Sequence, residues 1–209
     1  MIGPSTVYSR LRENLLAGVY APDQPLIPIT LSEEFGVSRT PVREALALLA
    51  QDGLLEPVRR GFLIRRRTDD EIFEIFEAQA AIDSAVASSA AARKTALDIA
   101  KLEEAHERAA SATTPEDIRS HLRGWHAALR TAAHNETMST LLTQLDAQIK
   151  LGAPWRPAAP DKPFQAPIDE HRRILDAVED GDGELARTLM LEHHARDRDE
   201  RIAHLAAGR

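Results

Sequence analysis

The chain has 209 residues, 43% of them hydrophobic, and a formal net charge of -7; that length suits one large domain or a small one joined to a medium one. It contains no cysteine, which excludes a disulfide framework and any Cys-ligated zinc or iron–sulfur centre. Met1-Ile2-Gly3-Pro4-Ser5 lacks the basic and apolar regions of a signal peptide, and no apolar run approaches membrane-spanning length, so a cytoplasmic protein with no membrane partner is expected.

Residues 5–17 read as an amphipathic helix, because Val7, Leu11 and Leu15 recur every four positions and must pack inward. Pro22 and Pro25 then hold an extended connection. Ile29 to Gly36 reads as a short helix with Thr30 as N-cap, Glu33 three residues on and Gly36 at its C-terminal end. After a tight turn at Val37 and Ser38, a second helix is expected, with Thr40 as N-cap and Pro41 at the first helical position. Val42, Ala45, Leu46 and Leu49 form its apolar face.

The opposite side carries Thr40, Arg43 and Ala47, with Ser38 and Arg39 just ahead of the first turn. A helix that enters a major groove by its N-terminal end needs hydroxyls and guanidiniums there. Taken alone, an Arg-rich helix start is as well explained as a solvated helix end. The neighbours favour the groove reading, since helix, turn and helix are followed by two short apolar runs, Leu54 to Val58 and Phe62 to Ile64, around Arg59-Arg60-Gly61. These runs predict a β-hairpin with Gly61 free to take positive φ and both arginines at the tip, within reach of a phosphate or the minor groove. Arg65-Arg66-Arg67 is either a further phosphate contact or a charged linker with some backbone contact, and the linker is the better fit.

Splitting the charge at Thr68 separates a mildly basic head from an acidic body. Residues 1–68 hold nine arginines and no lysine against seven acidic residues, a net of +2, which leaves -9 for the remainder. Phosphate contact depends on local charge, so the overall acidity is no obstacle. Thr68 followed by Asp69, Asp70 and Glu71 is a strong helix start. Beyond it only helices are predicted, over about 69–93 with Ile72, Ile75, Phe76, Ile82 and Val86 on one face, then about 95–111, 115–133, 136–151, 167–180 and 183–204. Pro154, Pro157, Pro160, Pro163 and Pro167 exclude regular helix from Gly152 to Pro167. The fold expected is mainly α: a winged helix-turn-helix domain over 1–68 with a small hairpin, and a bundle of about six helices over 69–209.

Gly36-Val37-Ser38-Arg39-Thr40-Pro41-Val42-Arg43-Glu44-Ala45-Leu46, with Leu49, Asp52-Gly53-Leu54 and Gly61-Phe62, resembles the GntR family of winged helix-turn-helix transcription regulators. The resemblance implies that Arg39, Arg43 and Gly61 lie at the DNA. The remainder is similar to the FCD (FadR C-terminal) domain, the ligand-binding half of one branch of that family. Trp125-His126, His134-Asn135, Glu170-His171, Ile174, Ala177, Asp182, Ala186 and His193 carry this likeness. It implies a divalent metal held by three histidines, His126, His171 and His193, and by an Asp four residues before the first, with a small carboxylate effector beside it.

Spacing agrees in part. His126 lies on the stripe Ile118, Leu122, His126, Leu129 and Ala133; His171 precedes Ile174, Leu175 and Val178; His193 follows Leu185 and Leu189. Each points inward, either as a hydrogen-bonded core residue or as one of a converging ligand set. His106, His121, His134, His194 and His204 read as surface or capping residues, although His194 could replace His193 if the last helix is rotated. Two departures matter. The family's Asp falls at Leu122, and an Arg common in the family falls at Gln79. Gln79 and Asp83 lie on an inward stripe, where they either line the effector pocket or bond to neighbouring helices. Without the carboxylate the site should bind a divalent ion weakly and prefer zinc, nickel or copper to oxygen-seeking ions.

The function expected is a ligand-responsive regulator that binds a two-fold symmetric operator as a homodimer and senses a metabolite, with a carboxylate the expected class. The alternatives are a metal-free pocket for a neutral or apolar effector, and a three-histidine metal-dependent hydrolase.

Overall fold

The computed structural model describes residues 4–152 and 164–206, with side chains for 6–152 and 164–203. Pro154, Pro157, Pro160, Pro163 and the side chain of His204 lie outside the described residues. The chain divides into two compact units, Met1–Ile72 with Gln144–Trp155, and Phe73–Thr143 with Arg156–Arg209.

In the first unit, α1 (Pro4–Leu16), α2 (Pro28–Phe35) and α3 (Arg39–Gln51) precede the strands β1 (Leu55–Val58) and β2 (Gly61–Ile64). Val7, Leu11 and Leu15 of α1 and Val42, Ala45, Leu46 and Leu49 of α3 are all at most 1% exposed and share one core. Burial at that level contributes about 1.5–3 kcal/mol for each large aliphatic side chain. The spacing-based faces are therefore the packed faces. Both N-caps differ from expectation. Helix α2 starts from Ile27 with Pro28 at its first position, and α3 starts from Ser38, so Thr30 and Thr40 sit inside the first turns. Pro28 presets the helical φ. Pro41 is tolerated at the third position because no N–H in the first turn has a partner within the helix. Gly36 closes α2 at φ 65°, a left-handed conformation that turns the chain into α3.

The strands pair antiparallel with Leu55 opposite Ile64 and Val58 opposite Gly61, which leaves Arg59 and Arg60 as a two-residue tip. Leu26 adds a bridge on the other side of β2, exchanging backbone hydrogen bonds of 2.7 and 3.1 Å with Phe62. The arginine run divides its labour. Arg65 pairs with Glu71 at 2.8 Å, and Arg67 donates to the Gly53 carbonyl at 2.6 Å and to Gln148 Oε1 at 3.0 Å, while Arg66 is exposed.

The helices that follow are α4 (Asp69–Arg93), α5 (Ala96–Ser111), α6 (Pro115–Ala132), α7 (Glu136–Gly152), α8 (Gln165–Glu179) and α9 (Gly183–Ala206). Their starts follow the sequence: Thr68 and Glu71 exchange capping hydrogen bonds, Thr95 and Asp98 do the same for α5, and Thr114 caps α6 ahead of Pro115. Pro167 departs from expectation, since it lies in the first turn of α8, where a missing N–H costs nothing. The second unit's core is built on Val86, Ala87, Ala90 and Ala91 of α4, Leu102, Trp125, Leu129, Leu142, Ile174, Leu175, Val178 and Met190. Among the described residues no helix is long and apolar enough to cross a membrane.

Candidate functional site

Two groups of side chains stand out, one in each unit. In the first, Ser38, Arg39, Thr40 and Arg43 are exposed on α3, opposite the buried Val42, Ala45 and Leu46. Ser38 is exposed at the helix N-terminus and makes no side-chain capping bond, a position suited to an anion. Arg59 and Arg60 are likewise exposed at the hairpin tip, with Gly61 at φ 108° directly after them. All four guanidiniums are accessible to a polyanion, whereas Arg65 and Arg67 are engaged within the protein.

In the second unit His126, His171 and His193 come together from α6, α8 and α9, and their candidate ligand nitrogens lie within 4.8 Å of one another. His171 Nδ1–H donates to the Pro167 carbonyl at 2.7 Å, which turns the Nε2 lone pair inward. That nitrogen is 3.1 Å from His126 Nε2. His193 Nδ1 lies 2.9 Å from Glu170 Oε2 and 3.3 Å from Arg196 Nη2; the shorter contact, to a carboxylate that can only accept, makes Nδ1–H the donor and leaves Nε2 with a lone pair. With His171 Nε2 as acceptor, His126 Nε2 carries the proton, and His126 Nδ1 is left buried without a partner. The cluster thus holds more lone pairs than protons to satisfy them, which is the donor set a cation needs. Neighbouring nitrogens on a tetrahedral zinc ion are about 3.3 Å apart, so the closest pair already fits and the others need only small side-chain shifts.

Trp125 packs edge-on to His171 and His126, with ring centroids 4.5 and 5.4 Å apart. Burial pushes His171 down to about 3, with the neighbouring His193 adding to the effect, and pushes His126 well below its ordinary value, with His171 and His193 adding to it. Both rings are therefore neutral at pH 7, as metal ligands must be. Below 6.5, the ordinary histidine value, the unfolded chain takes up protons that the folded rings refuse. Stability is then full above about 6.5 and falls as pH drops, for His171 toward 3, by roughly 1.4 kcal/mol per pH unit for a proton that the folded ring refuses. Urea unfolding of metal-free protein at pH 7, 6 and 5 should show this slope, and His171→Gln should make it shallower; an unchanged slope would refute the assignment.

Asp83 and Gln79 are buried on α4, as their stripe implies. The Asp83 carboxylate is held between Arg130 Nε at 3.5 Å and His194 Nε2 at 3.1 Å. His194 is therefore no surface residue; its side chain is 9% exposed and its ring lies 5.5 Å from that of His193. His134 does act as a helix-end residue, at φ 47° and 3.0 Å from Asp98. His106 meets the Ile168 carbonyl at 3.1 Å. His121 lines a shallow cavity with Lys101, Glu104 and Arg108. Sequence reasoning missed Arg130, Glu170, Arg196 and Asp197. Glu170 was visible only as the neighbour of His171, and adjacent helical residues face about 100° apart, so its meeting with His193 needed the packing of α8 on α9.

Residues 4–63 match the bacterial regulatory proteins of the gntR family, and residues 74–196 match the FCD domain. An uncharacterized HTH-type transcriptional regulator of Bacillus subtilis, YdhC, is 28% identical over 196 residues, covering 91% of this chain and 87% of that protein. An uncharacterized HTH-type transcriptional regulator in an unstable DNA locus of Streptomyces ambofaciens is 32% identical over 197 residues, covering 90% of this chain and 80% of the relative. The solved structure of E. coli McbR/YncC has the same fold, with a TM-score of 0.73 at 22% identity across 95% of this chain and 98% of that one. Family and relatives are regulators, not enzymes, which removes the hydrolase alternative. The chain belongs to the GntR family, in the branch that carries an FCD domain, and is a DNA-binding transcription regulator with an effector-binding C-terminal domain.

Proposed function

We propose that the protein acts in the cytoplasm as a homodimer on a two-fold symmetric operator, with Ser38, Arg39, Thr40 and Arg43 in the major groove and Arg59, Arg60 and Gly61 at the flanking backbone or minor groove. The exposed guanidiniums on α3, set opposite a fully buried apolar face, carry this reading. Two-fold operators pair with two-fold proteins, so a symmetric footprint with half-sites about one helical turn apart is expected. Arg43→Ala should cost roughly 1–3 kcal/mol on the operator and relax preference at one base pair, whereas Arg60→Ala should weaken all sequences alike. Titrations on operator and on random DNA decide between them. Equal losses for Arg43→Ala on both would remove it from base readout.

In the helical domain a divalent ion, zinc or nickel, would sit on His126, His171 and His193. The ion supplies an acceptor for a carboxylate effector, which would then strengthen metal binding and be strengthened by it. Gln79 and Asp83 are both buried on α4. Both would contact the effector from that helix, and Asp83 also pairs with Arg130 and His194. Leu122, in place of a carboxylate, supports a second reading in which the pocket takes a neutral or apolar effector without metal. Calorimetry with zinc on the full chain separates the two readings.

A further inference from the structure

We infer that Asp197 is the fourth, anionic ligand of the three-histidine centre and does the work that a carboxylate at position 122 does not do here. The inference rests on the metal reading above and adds a residue to it. His193 is oriented by Glu170 through Nδ1, so its Nε2 is the nitrogen left for an ion. Asp197 Oδ2 lies 3.9 Å from that Nε2. The two residues are four apart on α9, which stacks their side chains on one face one turn apart. Leu122 and His126 stand in the same relation on α6. The chain therefore keeps a His and a carboxylate at a spacing of four, moved to another helix and with their order reversed.

The carboxylate is also aimed. Asp197 Oδ1 accepts from Arg196 Nη2 at 2.8 Å, and Arg196 in turn pairs with Glu170 Oε1. One oxygen is thus held by a guanidinium while the other faces the ring, which is how a ligating carboxylate is usually fixed. Donor oxygen and nitrogen on one zinc ion stand about 3.3 Å apart; Oδ2 is already near that spacing from His193 Nε2, and because Asp197 lies outside the group formed by the three histidines, ligation takes a rotation of its side chain, which is 38% exposed, toward the other two rings. The charge of Asp197 also reaches His171, where it opposes the larger effect of burial.

The other carboxylates are placed for other work. Glu170 lies on the Nδ1 side of His193, away from the converging lone pairs. Asp83 is held by Arg130 and His194. Three imidazoles and one carboxylate make a donor set suited to zinc, which can expand to five-coordinate and so still take the effector carboxylate.

The test uses the full chain, with zinc affinity from chelator competition and cobalt(II) absorption as a report on the donor set. Asp197→Asn should weaken zinc by at least about 10–100-fold and shift the cobalt bands. Asp199→Asn, which removes the same charge from a side chain 66% exposed on the same helix, should leave both unchanged. Leu122→Asp should restore affinity to the Asp197→Asn protein by placing a carboxylate four residues before His126. If Asp197→Asn behaves like Asp199→Asn, Asp197 is no ligand, although the three-histidine reading stands. If the unsubstituted protein takes up neither zinc nor cobalt at micromolar concentration, both ideas are overturned together.

Discussion

Gly61→Ala should cost roughly 3 kcal/mol or more of stability in the DNA-binding unit and remove most operator affinity. Gly61 sits at φ 108°, and a Cβ built there meets the Leu26 carbonyl oxygen at 2.4 Å and its carbon at 3.1 Å. Neither obstacle can yield cheaply, because both atoms belong to the backbone that bridges Leu26 to Phe62. Relief requires the hairpin to leave Leu26, which breaks two backbone hydrogen bonds and moves Arg59 and Arg60 away from the place where they can act with α3. Gly124→Ala is the matched control, since a Cβ at Gly124 meets nothing within 4 Å and the residue lies inside α6. There the same change should stabilise by about 0.5–1 kcal/mol. Thermal and urea unfolding with operator titration would measure both; equal behaviour of the two variants would contradict the close approach at Gly61.

His171→Ala should lower zinc affinity on the order of 100-fold or more, because it removes the central imidazole of a set whose supporting partners alone are commonly worth 10–100-fold. His171 is 1% exposed, and its ring centroid lies 4.5–4.9 Å from those of Trp125, His126 and His193. Since the alanine also leaves a cavity, affinity has to be measured beside stability. His171→Gln fills more of the space and should lose zinc to a similar degree while remaining better folded. Unchanged zinc affinity in both would return the three histidines to the role of core residues that bond to one another. Nitrogen NMR adds an independent reading: zinc should move the His126 proton from Nε2 to Nδ1, the atom that has no partner now.

Periodicity alone determined most of this fold. Val42, Ala45, Leu46 and Leu49 recur on one helical face, and a face so marked has nowhere to go but inward, so α3, its exposed arginines and the hairpin after it were legible residue by residue. The inward direction of His126, His171 and His193 followed from the same stripes. Periodicity says which way a side chain points and nothing about what it meets. The helices start from Ile27 and Ser38 rather than Thr30 and Thr40, so the residue type of a cap did not by itself place them. Asp83 lies 111 residues from His194, and Glu170 lies 23 from His193, so no local spacing announces either pair. Only the approach of separate helices decided which carboxylate orients which ring. The His193–Asp197 spacing was present in the sequence, yet it gained meaning once Glu170 was seen to occupy the other nitrogen of the ring. A side chain's chemistry is set by the partner that remains for it after packing has assigned the rest.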